Sequence, residues 1–178
     1  ILDALSTLTF DFPSEHPRAT ERQAFFSQEL AQFLVMVSKE KIKSTQVKGS
    51  YAGAMGLPQF MPSSWAKFAV DFDGDRHIDL FSNKADVIGS VANYFKAFQW
   101  QTGMPTHYPV SFNKEQLDMD ALMAPDILPT FSVGNFQAKG AVVDGDALNH
   151  KGPLALIELL NGEAPPSYVA GTENFYAI

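Results

Sequence analysis

The chain has 178 residues, 46% hydrophobic and 19% charged, enough material in the usual balance for a globular domain with a buried core. A formal charge of −7 and the lack of any Lys/Arg cluster argue against nucleic acid as a partner, because gripping phosphate needs grouped cations. The absence of cysteine excludes a disulfide framework and any thiolate metal site.

At the start, Ile1-Leu2-Asp3-Ala4-Leu5 is neither a basic-plus-apolar leader nor a lipidation signal, and no apolar run later in the chain is long enough to span a bilayer. The chain opens without Met and in mid-pattern, so a fragment or processed form is expected, with any anchor lying outside it. Leu2, Leu5 and Leu8 or Phe10 fall at near-helical spacing, and Pro13 and Pro17 close that run. From Thr20 to Gln23 the pattern is a capping box, followed by an apolar stripe of Phe26, Leu30, Phe33, Leu34 and Val37. That stripe predicts a helix packed on a core. Lys39, Lys41 and Lys43 stand where a helix C-terminus favours cations.

Between Gly49 and Pro62 the residues become small and glycine-rich, which predicts a loop or broken helix with close backbone approaches. Ser63-Ser64 can cap a helix reaching Val70, and a second helix from about Lys84 to Phe98 should bury Val87, Val91, Phe95 and Phe98. Between them, Asp71-Phe72-Asp73-Gly74-Asp75-Arg76-His77-Ile78-Asp79 sets out carboxylates in the order in which an EF-hand-type loop wraps a hard cation. Asp71, Asp73 and Asp75 take the first, third and fifth positions, and His77 falls where a backbone carbonyl ligates. Two departures stand out: Arg76 replaces glycine at the sixth position, and Ser82 at the twelfth has no carboxylate. Asp86 is expected to supply the missing carboxylate, with Asp79 reaching the ion either directly or through water. A structural calcium ion is the favoured reading over a solvated acidic turn or a calcium sensor. His16, His107 and His150 show no metal-ligand spacing and are expected at the surface.

Beyond Trp100, residues 101–109 read as a linker. Val110–Phe112, Phe131–Phe136, Ala141–Val143, Leu154–Leu160 and Ser167–Ala170 read as short strands, and Asn161-Gly162 as a hairpin turn. Asp118–Met123 fits one short helix.

The run Lys48-Gly-Ser-Tyr-Ala-Gly-Ala-Met-Gly-Leu-Pro-Gln-Phe-Met-Pro-Ser-Ser64, the Asp71 loop, Ile88–Phe95, the opening Ile1–Leu8 and the closing Asn174-Phe175-Tyr176 together resemble the membrane-bound lytic murein transglycosylase B family. Only residues 101–172 match loosely. The resemblance implies an α+β fold, mainly α, with a lysozyme-like helical core, an EF-hand-like calcium loop and a small β insertion. In this chain that corresponds to a partial catalytic core over 1–108, a β subdomain over 109–172 and a return to the core over 173–178.

Such enzymes cut the β-1,4 bond between N-acetylmuramic acid and N-acetylglucosamine in peptidoglycan without water, leaving a 1,6-anhydro end through one glutamic acid that serves as both acid and base. The resemblance places that glutamate upstream of Ile1. Glu15, Glu21, Glu29, Glu40, Glu115, Glu158, Glu163 and Glu173 lie outside the matching segment and are expected to be solvated. Ser50 matches the serine that bonds the catalytic carboxyl, Gln59 the glutamine facing the sugar, and Tyr94 an aromatic beside the reacting centre, while Met55 and Gly56 form the wall. Calcium is then the one cofactor, with no organic cofactor. Glycan strands are the partner, the periplasm is the compartment, a monomer is expected, and a lipid anchor, where there is one, lies outside this chain. A calcium-stabilised, non-catalytic glycan-binding scaffold is the competing reading, and a Glu upstream of Ile1 would decide against it.

Overall fold

In a computed structural model, which describes all of residues 1–178, the chain divides into two units, Ile1–Tyr94 and Phe95–Ile178. Helix holds 42% of the residues and strand 15%, so the fold is α+β and mainly helical.

The first unit is built on α1 (Leu2–Phe10), α2 (Ala19–Lys39), α3 (Pro62–Phe68) and the greater part of α4 (Lys84–Ala97). Leu5 and Phe33 are fully buried, and Phe26, Leu30 and Val37 pack with them. Each such side chain contributes about 1.5–3 kcal/mol through removal from water. The α2 stripe is narrower than its sequence suggests, because Leu34 turns to the rim and stays 47% exposed. Phe10 is likewise outside the core at 76% exposure.

Both expected helix caps on this unit are replaced by other contacts. Helix α2 starts at Ala19 with Arg18 at the N-cap and no side-chain cap, so Thr20 lies inside the first turn. Arg18 donates instead to Glu21 at 2.5 and 2.8 Å, and this ion pair holds the turn that the capping box was expected to hold. Helix α3 starts two residues earlier than a Ser63 cap would require. Pro62 occupies its first turn, where a missing N–H costs nothing, and Ser63 bonds a distant carboxylate. On α4 the innermost residues are Asp86, Gly89 and Ser90, with Val87 and Val91 only partly buried. Small and polar groups face inward there because Phe72 lies flat over Gly89, where any Cβ would meet its ring, and because Ser90 Oγ accepts the Val70 amide at 2.9 Å.

The second unit has a three-stranded antiparallel sheet in which β5 (Ala164–Gly171) lies between β1 (His107–Pro109) and β4 (Ala155–Asn161). A separate pair joins β2 (Ser111–Phe112) to β3 (Ala141–Val142). The β4–β5 hairpin turns at Asn161 and Gly162, the latter at φ +65°. Helices α5 (Met119–Met123), α6 (Val133–Ala138) and α7 (Glu173–Tyr176) complete it, and Leu122, Phe136, Leu154 and Leu156 form its core.

Three expectations fail in this unit. Phe131–Phe136 is not a strand: Ser132 Oγ accepts the Asn135 amide at 3.3 Å and starts α6, leaving Phe131 a single bridge to Leu154. Residues 101–109 are not a free linker, since His107–Pro109 pairs with Val169–Gly171. The buried Asn174 side chain also bonds Gln101 N and O at 2.8 Å each and Met104 O at 2.9 Å. His150 is not a surface residue. Its side chain is 4% exposed, with Nδ1 3.3 Å from the Tyr108 hydroxyl and Nε2 3.5 Å from Glu173. His16 and His107 are exposed.

Candidate active site

The glycine-rich segment folds into two tight turns joined through Met55. The first runs from Ser50 to Gly53, whose amide donates to Ser50 O at 3.1 Å, and the second from Gly56 to Gln59, whose amide donates to Gly56 O at 3.2 Å. Met55 bridges Gly49 on one side and Phe60 on the other, exchanging both backbone bonds with Phe60 at 2.8 and 3.0 Å. Ser50, which follows Gly49, and Gln59, which precedes Phe60, thus stand on the two turns that flank Met55.

Gly53 and Gly56 make the turns feasible. They sit at φ +93° and +69°, and a Cβ on either would overlap Leu5 or Leu80. Backbone from Leu80, rather than open space, fills the room beside Gly56. Met55 is fully buried beneath the turns, so the wall at this point consists of backbone. Gln59 itself has φ +54°, a conformation that costs a non-glycine residue about 1–2 kcal/mol. Its side-chain amide donates to Gly56 O at 2.7 Å, which leaves the carbonyl oxygen and one N–H for a ligand.

The Ser50 hydroxyl oxygen accepts from Ala54 N at 3.0 Å and Ala52 N at 3.3 Å. With both lone pairs engaged, its remaining capacity is to donate. Tyr94 packs its ring on Phe60 at 5.7 Å and edge-on to Phe68 at 5.1 Å, next in sequence to the Gln59 turn. All five predicted residues therefore lie on or against one pair of turns.

The acidic loop reaches this site from Leu80. Asp86, fully buried, accepts Phe72 N at 2.8 Å and Asp79 N at 2.9 Å, and so closes the loop on α4. Asp71 accepts from Gly74, Asp75 and Arg76 at 2.7 to 3.1 Å. Oxygens of Asp71, Asp73 and Asp86 all fall within 4.8 Å of one another. Asp75 and His77 stand outside that trio, Asp75 accepting His77 N at 2.8 Å and the His77 ring lying 4.0 Å from Glu40. Arg76 takes φ +72°, the left-handed turn that glycine ordinarily supplies at the sixth position. Hydrogen bonds to the ionised forms hold two carboxyls below the usual aspartate range: Asn83 acts chiefly on Asp73 and Ser82 chiefly on Asp79.

One residue of consequence escaped sequence reasoning. Glu29, expected in solvent, is 3% exposed and accepts Ser63 N at 2.9 Å and Ser63 Oγ at 2.6 Å. Its signal was present, for Glu29 falls three residues after Phe26 and four before Phe33, on the apolar stripe itself.

The chain has relatives among known proteins. The family model described as the transglycosylase SLT domain matches residues 1–178. Membrane-bound lytic murein transglycosylase B of Escherichia coli strain K12 is 43% identical over 146 residues, covering 77% of this chain and 38% of that protein. The crystal structure of soluble lytic transglycosylase SltB1 from Pseudomonas aeruginosa superposes with a TM-score of 0.71 at 40% identity, over 98% of this chain and 54% of that one. Escherichia coli Slt35 in complex with calcium does so at 0.66 and 38% identity, over 99% of this chain and 51% of that one. The chain thus spans about half the length of these solved relatives, or less than half for the curated one.

Proposed function

The chain belongs to the transglycosylase SLT domain family, and from that premise we propose that it holds the glycan wall of a peptidoglycan lytic transglycosylase. The reaction is non-hydrolytic cleavage of the β-1,4 bond between N-acetylmuramic acid and N-acetylglucosamine, giving 1,6-anhydro ends.

A single carboxylic acid suffices for this chemistry. It protonates the leaving glycosidic oxygen, the C1–O bond breaks, and an oxocarbenium-like centre forms on the muramyl ring. The carboxylate then takes the proton of the 6-hydroxyl as O6 bonds to C1, which restores the acid without water. Ser50 fits the role of donor to that carboxyl, because its own oxygen is saturated by two amides. Gln59 offers an amide to the sugar from a strained, fixed turn, and Tyr94 flanks it.

The acid itself is assigned outside residues 1–178. Glu29 is tied to Ser63, Glu21 to Arg18 and Glu158 to Tyr168, and Glu173 lies against His150. The observation that supports the reading is the pair of turns joined through Met55, with Ser50 on the first and Gln59, at φ +54°, on the second.

The acidic loop is assigned to a structural calcium ion held by Asp71, Asp73 and Asp86, with Asp75 and the His77 carbonyl as further ligands. Carboxylate oxygens that all lie within 4.8 Å of one another suit an ion with Ca–O distances of about 2.3–2.6 Å. The ion would neutralise the clustered charge and fix the loop against α4, and it has no part in bond breaking. Glycan strands of the periplasmic cell wall are the expected partner of a monomeric protein. No helix is long and apolar enough to cross a membrane.

The test is product analysis of murein sacculi treated with the full-length protein. Anhydro-muramyl ends support the assignment, reducing ends indicate a hydrolase, and tight binding without cleavage identifies a glycan-binding scaffold.

A further inference from the structure

We propose that Glu29 is a positioning residue that holds Gln59 in its ligand-facing conformation through Ser63; this rests on the assignment of Gln59 to the glycan site. A carboxylate that is 3% exposed is costly to bury unless its oxygens are hydrogen-bonded. Both are, and both by one residue 34 positions away: Oε2 by the Ser63 amide and Oε1 by the Ser63 hydroxyl.

The need for this bond lies at the start of α3. Met61, at the N-cap, has no side chain able to satisfy the free amides of the first turn, and Pro62 has no N–H. Glu29 reaches across from α2 and serves as the missing cap. It thereby fixes the exit of the turn that carries Gln59.

That turn requires an anchor. A residue such as Gln59 at φ +54° relaxes to negative φ unless its surroundings over-determine it. The entrance is held by Leu80 O, which accepts Leu57 N at 2.8 Å, and the middle by the paired Met55 and Phe60. After Phe60 the chain passes through the buried Pro62 to Ser63, and Glu29 is the side chain from another element that hydrogen-bonds there. With its carboxylate lost, the exit loosens and Gln59 leaves its left-handed conformation, taking its side-chain amide away from Gly56 O.

Two measurements test this, one of them free of catalysis. In the full-length protein, Glu29→Gln should speed amide hydrogen exchange at Gln59, Phe60 and Ser63 by about tenfold or more while α1 remains protected. In the full-length protein, Glu29→Gln should lower kcat on sacculi by at least about tenfold with KM little changed. The double variant Glu29→Gln, Gln59→Ala should be no slower than Gln59→Ala alone, the non-additivity expected of residues acting through one another. Ser63→Ala, a milder change that keeps the backbone bond, should reproduce the pattern in smaller degree and serves if Glu29→Gln does not fold. Unchanged exchange at Gln59, or kcat losses that multiply in the double variant, would overturn the proposal. Failure of the wild-type protein to release anhydro ends would overturn the functional assignment instead, and the exchange result would still decide the role of Glu29.

Discussion

The carbonyl oxygen of Leu80 lies 2.6 Å from the point where a Cβ on Gly56 would stand. The same oxygen accepts the Leu57 amide at 2.8 Å, so the end of the acidic loop and the Gln59 turn are built against each other without room for a methyl group. Gly56→Ala must therefore move backbone, and it must also hold φ +69°. A loss of about 2–3 kcal/mol is expected from these combined strains. Thermal unfolding should register it as a fall in Tm of roughly 5–10 °C, and an unchanged Tm would mean that the contact is slack.

Through the same contact, an ion bound in the acidic loop would be felt at the Gln59 turn. If calcium occupies the Asp71, Asp73 and Asp86 trio at about a hundred times its Kd, it adds about 2.7 kcal/mol to stability, or roughly 5–10 °C in Tm. EDTA should remove that increment. Asp86→Asn should abolish the calcium response and lower the ion-free Tm as well. Asp86 accepts two backbone amides at 2.8 and 2.9 Å while fully buried, and an amide side chain can accept at only one end. A calcium response that survives Asp86→Asn would place the ion elsewhere.

Where the sequence was legible, local chemistry determined the outcome. Asn161-Gly162 has the residues that a tight hairpin needs, and the strands turn there. The spacing of Asp71 and Asp73 marked the acidic loop, and the need for a further carboxylate pointed to Asp86, which the fold brings within 4.8 Å of both. Legibility failed where two local signals competed, or where a partner came from far along the chain. Phe131–Phe136 has the composition of a strand, but Ser132 at one end and Gly140 at φ +84° at the other define a helix between them. Thr20 and Ser63 looked like caps because the rule is local, whereas the bonds actually formed run from Arg18 to Glu21 and from Ser63 to Glu29. Gly56 was legible as a close approach, but only coordinates identify Leu80 as what approaches it.

Acid should weaken the acidic loop in a definite window. Hydrogen bonds from Asn83 to Asp73 and from Ser82 to Asp79 favour the ionised carboxylates and hold both below the ordinary aspartate value of 3.8. A carboxyl whose folded value is depressed stabilises the fold above its unfolded value, and that contribution is lost as pH falls through the folded value. The loss therefore begins just below about pH 4 and continues downward. Tm followed from about pH 6 to about pH 2.5 should fall less steeply for Asp79→Asn than for the unaltered chain. Parallel curves would show that Asp79 contributes nothing to the acid limb. The exposure of Asp73 predicts a smaller effect for Asp73→Asn, one that added salt should reduce further.

Gln59 separates function from stability. Its φ of +54° suits glycine better than any other residue, so Gln59→Gly should be more stable than Gln59→Ala by about 1 kcal/mol. Both variants lose the side-chain bond to Gly56 O, which cancels in the comparison. Neither can present an amide to a sugar, and removal of one well-placed polar group from a transition state costs about a hundredfold in kcat. The expected result in the full-length protein is therefore two variants of different Tm and equally poor turnover of sacculi. If Gln59→Gly turned over substrate at the wild-type rate, the strained conformation would have to be an accident of the turn. If Gln59→Ala proved the more stable of the two, the left-handed backbone at this position would be disproved instead.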